Sequence, residues 1–84
     1  ILYGGVPAGG DYPQARVWFE KAVAIDPRSP IHHLWLGRTL ARLGEYEAAR
    51  RHLRLCLDLP DLYWDDSLNK RRAEKLLDKI EEKR

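Results

Sequence analysis

Three histidines and a single cysteine are the side chains in this chain best suited to hold a metal ion. His52 stands four residues before Cys56, a spacing that puts both side chains on one face of a helix and makes them a usable pair of ligands. His32 and His33 are adjacent, project about 100° apart on a helix and do not readily share one ion. A closed zinc site wants about four ligands, and no second pair stands at the right spacing. The expectation is therefore no metal, with Cys56 buried as a small packing residue. One cysteine excludes an internal disulfide framework and leaves the compartment open.

Acid–base chemistry finds little more. No nucleophile–base pair lies at local spacing, and Asp65, Asp66, Asp78, Glu81 and Glu82 read as helix-cap and solvent-face residues. The Gly4-Gly5 and Gly9-Gly10 pairs lack the Lys-Ser/Thr that a phosphate-cradling loop needs. The chain is expected not to be an enzyme and to need no cofactor. Trp18 and Trp35 adjoin inward helix positions, so packing is expected of both. Trp64, beside Tyr63, either pins the last helix or stands exposed. Residues 28–54 carry six arginines against Glu45 and Glu47. That basic stretch would steer an anionic partner or a phospholipid headgroup, or it is a solvated helix face neutralised by acids one turn away. With a net charge of +2 over the chain, no nucleic acid is expected.

Helices must position these residues. Eighty-four residues make one small domain, which buries only about 60–65% of the surface its unfolded chain exposes. Hydrophobic content of 44% and charged content of 33% suit a helical, folded protein with no disordered tract. No apolar run approaches the roughly 20 residues that cross a bilayer. Residues 1–10, with four of the six glycines, are expected to form a loop in which Ile1, Leu2 and Tyr3 pack inward as the tail of an earlier element. A first helix is expected from Tyr12 to Ile25, capped by Asp11 with Gln14 closing a capping box, and Ala15, Trp18, Phe19, Ala22, Val23 and Ile25 form its apolar stripe. After the turn 26–29, Ser29 caps a second helix that opens on Pro30 and ends near Leu43, where Gly44 supplies a left-handed residue. The third helix spans about Glu45 to Leu59 and stops at Pro60. A connector over 61–66 leads into a last helix that ends near Glu82, with Leu68, Ala73, Leu76, Leu77 and Ile80 on one narrow stripe.

Displaced by 34 residues, the chain matches itself: Gly10-Asp11-Tyr12 falls on Gly44-Glu45-Tyr46, Ala15 on Ala49, Phe19 on Leu53 and Ala22 on Cys56. A period of 34 marks stacked antiparallel helix pairs. The residues Leu36-Gly37, Leu40, Gly44-Glu45-Tyr46, Ala49, Leu53 and Cys56, with Tyr12, Ala15, Phe19 and Ala22 from the other copy, resemble the tetratricopeptide repeat. Small residues at Gly37, Ala49, Ala15 and Ala22 let helices approach closely, while Tyr46, Leu53, Tyr12 and Phe19 fill the gaps between pairs. Cys56 in place of alanine, Pro60 one residue early and His33 in place of an aromatic depart from the pattern. The Gly/Pro-rich start, one whole repeat, Leu59-Pro60-Asp61 and a charged last helix also look like the C-terminal end of the domain in the regulator-of-microtubule-dynamics family. That resemblance implies protein binding and, in some members, lipid handling at membranes.

The expected fold is all-α: a tetratricopeptide-type solenoid of about four helices. Residues 1–10 are a Gly/Pro-rich loop after an upstream helix, 11–29 the second helix of a truncated repeat, 30–61 a complete repeat and 62–84 a C-terminal capping helix. The chain begins in mid-pattern and has no methionine, so it is expected to be a fragment or processed product, and no localisation follows. The resemblance places Ile31, Leu34, Arg38, Ala41 and Arg42 on the concave face of the repeat. They are expected to form a part-apolar, part-cationic groove for an extended peptide or helix, an acidic one included, or else an ordinary solvated helix face. The Lys and Asn of a C-terminal carboxylate clamp are absent, so chaperone tails are not expected. The function expected is a noncatalytic scaffold or adaptor that binds a protein or peptide. The alternatives are a module for a lipid-like or small ligand, and a segment that self-assembles as a homo-oligomer. No motif supports membrane contact directly.

Overall fold

The computed structural model describes residues 11–82, in four α-helices with no strand among them. The helices are α1 (Tyr12–Ile25), α2 (Pro30–Arg42), α3 (Tyr46–Asp58) and α4 (Asp66–Glu82). Each boundary agrees with its sequence expectation to within a residue. The glycine-rich stretch 1–10, including Ile1, Leu2 and Tyr3, lies outside the described residues.

Local chemistry explains where each helix starts and stops. Asp11 caps α1, its carboxylate accepting the Gln14 N–H at 3.0 Å, with Pro13 in the tolerant first turn. Pro30 opens α2, but the hydroxyl of its N-cap, Ser29, makes no capping bond. At the other end Gly44 takes φ +81°. The Glu45 N–H then reaches back to the Leu40 carbonyl at 2.9 Å, and the Gly44 N–H to that of Ala41 at 3.1 Å. These two bonds are the paired closure of a Schellman motif, and they turn the chain directly into α3.

The α2–α3 hairpin is the centre of the molecule. Leu34, Leu36, Leu40, Ala49, Leu53 and Cys56 are buried together, and Ala73 and Ile80 of α4 complete the cluster. Its tightest point is Gly37. A methyl group there would sit 2.7 Å from Leu53 Cγ and 3.2 Å from the Ala49 carbonyl oxygen. Gly37 therefore lets two backbones approach to a distance that any side chain at position 37 would oppose.

Since α3 runs antiparallel to α2 and again to α4, α2 and α4 lie side by side in the same direction. α4 touches both partners, whereas α1 packs on α2 alone among the described helices. That single neighbour explains the main departure from sequence expectation. Only Ala15 of α1 is fully buried, with Phe19 and Val23 packed against the core from its edge. Trp18 and Ile25 were expected inward, yet Trp18 is exposed and Ile25 is 84% exposed. One neighbouring helix covers a narrower arc than the α1 stripe spans. Leu68 likewise faces out, on the first turns of α4.

Replacing Gly37 with Ala should destabilise the domain by up to about 2 kcal/mol, because overpacking against Leu53 (about 1–3 kcal/mol) outweighs the roughly 1 kcal/mol gain in helix propensity. Gly44→Ala should cost a similar ~1–2 kcal/mol for a different reason, the left-handed backbone, and Gly44→Asn should cost less. Urea unfolding measures all three, and a Gly37→Ala variant at least as stable as the parent would contradict the packing described.

Candidate functional site

A groove runs between α2 and α4. Ile31, Leu34, Trp35, Arg38 and Arg42 supply one wall and Asn69, Arg72, Leu76 and Lys79 the other, enclosing a cavity of about 960 Å³. A second cavity of about 410 Å³ continues past Arg38 and Arg42 to Ala41, Tyr46 and Ile80. Of the five residues assigned to a groove from sequence, Ile31 and Leu34 line the first cavity, Ala41 the second, and Arg38 and Arg42 both. Their roles differ. Leu34 is buried in the core and forms the floor. Arg38 lies with its guanidinium carbon 5.4 Å from the centre of the Trp35 ring, a cation–π contact.

The charge of the groove is one-sided. Arg38, Arg42, Arg72 and Lys79 line it, Asp65 is the acid among its lining residues, and none of the four cations is held in an ion pair among the described residues. Two of its lining residues also carry a buried polar atom with no partner among the described residues: Ser29 Oγ and Trp35 Nε1.

The basic stretch 28–54 therefore divides into two faces. Arg38 and Arg42 open onto the groove, while Arg50 turns away to tie α3 to α4. Its Nη1 donates to Glu47 at 2.8 Å, and its Nε lies 3.3 Å from Glu81 Oε1, off the hydrogen-bond axis. Arg16 holds Glu20 and also Glu45, joining α1 to the start of the next hairpin.

The connector before α4 is organised by one buried carboxylate. Asp66 is fully buried and accepts the Leu62 N–H at 2.7 Å, the Tyr63 N–H at 2.9 Å and the Asn69 amide at 3.3 Å. Lys70 answers from the next turn, donating to the Leu59 carbonyl at the end of α3 and pairing with Asp61 at 2.7 Å. Trp64 is left 93% exposed at the apex of this turn, which resolves the two sequence alternatives in favour of exposure.

The histidines meet across the hairpin and not within one helix. His33 and His52 stack with ring centres 5.3 Å apart and Nδ1 atoms 3.1 Å apart. His33 Nε2 lies 2.7 Å from the Pro27 carbonyl, which can only accept, so that nitrogen carries the hydrogen. A neutral His33 then accepts at Nδ1, and His52 Nδ1–H must be the donor. Burial, the facing His33 and the neighbouring Arg51 push the His52 pKa down, with Glu20 opposing. Burial pushes the Cys56 thiol up to about 11, which leaves it protonated at neutral pH. No group of three metal-ligating side chains assembles among the described residues.

The family model described as regulator of microtubule dynamics protein 1-3 matches residues 1–81. The chain belongs to that family. No curated protein and no solved structure gives a significant match. In this family member the groove owes as much to α4 as to α2, and sequence reasoning found only the α2 side. The α4 residues were hidden because Arg72 and Lys79 look like any solvated positions in a charged helix. The His33–His52 pair was legible in principle: once Gly37 opposes Ala49 and Leu53, antiparallel register brings 33 to 52.

Two outcomes follow. Stability owed to His52 is present in full above its unfolded pKa of about 6.5 and is lost as pH falls through its lower folded value. Urea midpoints between pH 7.5 and 5 should therefore fall, and His52→Gln should flatten that fall; an unchanged slope would dismiss the pair as its source. Asp66→Ala should cost about 1–3 kcal/mol by leaving two connector N–H groups unsatisfied, whereas Asp66→Asn, which keeps one acceptor oxygen, should cost less in the same measurement.

Proposed function

We propose that this chain is a noncatalytic interaction module of tetratricopeptide type, holding a protein segment or peptide in the concave groove between α2 and α4. The observation that carries this reading is the groove itself: an apolar floor at Leu34 and Ile31, an aromatic wall at Trp35, and four cations with no ion-pair partner among the described residues. The repeat assignment draws support from the parallel course of α2 and α4. It also draws on the start of α1 at Tyr12 and of α3 at Tyr46, 34 residues later. Under it, 11–29 is the second helix of one repeat, 30–61 a whole repeat, and α4 the closing helix. The family description names regulation of microtubule dynamics, and a binding module is the form in which a domain of this size would take part.

Selecting binders from a random twelve-residue peptide library, then mapping one by amide chemical shifts, tests the groove. Shifts are expected at Ile31, Arg38, Arg72 and Lys79. The double variant Arg38→Glu, Arg42→Glu should weaken binding by at least about tenfold, some 1.4 kcal/mol, with helicity unchanged. Leu34 is left intact because its buried position makes it a folding residue. Shifts confined to the outer faces of α1 and α3 would remove the groove from consideration.

A further inference from the structure

The groove has a polar anchor at one end that its charge alone does not require. Ser29 sits at the N-terminus of the thirteen-residue helix α2 but does not cap it. Its hydroxyl is buried, with the residue 1% exposed, and it has no hydrogen-bond partner among the described residues. Trp35, 9% exposed, lines the same cavity and carries an indole N–H that is also buried and unpartnered. Buried polar atoms without partners are costly and rare in a folded domain. Two of them on residues that line one cavity, beside a helix end that favours negative charge, call for an acceptor that none of the described residues supplies.

We propose, building on the groove reading above, that the occupant is an acidic peptide in extended form. One carboxylate is anchored by Ser29 Oγ and Trp35 Nε1, and further carboxylates lie along Arg38, Arg42, Arg72 and Lys79. Charge complementarity selects this occupant. The chain's own glycine-rich residues 1–10 contain no acidic side chain and cannot answer four cations. The arginines line a concavity instead of projecting from a flat face, which suits a single narrow chain better than a membrane surface. The indole N–H gives the anchor direction: it can only donate, so the ligand atom it meets must be an acceptor. Lipid headgroups and neutral peptides become outcomes of the test.

The probe is a labelled twelve-residue peptide of Glu, Ser and Leu, compared with the same peptide carrying Gln at every Glu. The acidic peptide should bind at least about tenfold more tightly than its Gln form, and its affinity should fall as salt rises. Its binding should also move the Trp35 indole N–H resonance, assigned with Trp35→Phe, downfield as the hydrogen bond forms. Ser29→Ala should weaken the acidic peptide by about three- to tenfold yet leave the thermal midpoint unchanged or raised, because it removes an unsatisfied atom. Equal binding of the Gln peptide in the groove would overturn the acidic preference while leaving the groove reading intact. A Ser29→Ala variant with full affinity, or a static indole resonance, would overturn the anchor. Tighter binding to phosphatidylglycerol vesicles, undisplaced by the peptide, would overturn the peptide in favour of a lipid surface. Failure of both probes and of every library-selected peptide to perturb the groove would overturn both readings together.

Discussion

The absence of a side chain at Gly37 is the constraint from which the rest of the molecule follows. With Leu53 Cγ and the Ala49 carbonyl already within 3.2 Å of where a Cβ would stand, α2 and α3 are pressed together along their middle. Close-packed interiors do not absorb an extra methyl group without shifting neighbours. Leu53 is fully buried against this spot, so any shift would spread through the shared core. The Schellman closure at Gly44 then sets the angle at which the hairpin turns.

The fixed hairpin gives α4 a place to dock. Ala73 and Ile80 enter the same core. Polar ties hold both ends of the α3–α4 pair: Arg50 reaches Glu81 at one end, and Lys70 with the buried Asp66 gathers the connector at the other. Because α4 is held on α3, it lies alongside α2 without filling the space between them. The groove is the gap left by that arrangement, and its cations come from two helices that are thirty or more residues apart in sequence. Ser29 and Trp35, each with a buried polar atom that has no partner among the described residues, both line that gap.

Much of this was legible in the residues. Helix boundaries follow from Asp11, Pro30, Gly44 and Pro60, whose backbone chemistry is local. The α2–α3 packing follows from small residues at Gly37 and Ala49 opposite a large one at Leu53. What escaped was non-local. Trp18 and Ile25 carry the right periodicity for burial, but periodicity does not say how many neighbours a helix has, and α1 has one among the described helices. Asp66 reads as an ordinary first-turn acid, and only the path of the connector buries it. The His33–His52 stack and the α4 side of the groove depend on register between helices. That Ser29 and Trp35 each bring a buried polar atom without a described partner to one cavity could not be read at all, since an absent hydrogen bond leaves no trace in a sequence.

The most direct test of this account is the proton–proton contact between Gly37 and Leu53 in solution. A nuclear Overhauser spectrum of the folded domain should show strong cross-peaks from the Gly37 α-protons to the Leu53 methyl groups. A well-dispersed helical spectrum that lacks them would mean that α2 and α3 stand apart, and the groove described between α2 and α4 would lose its foundation.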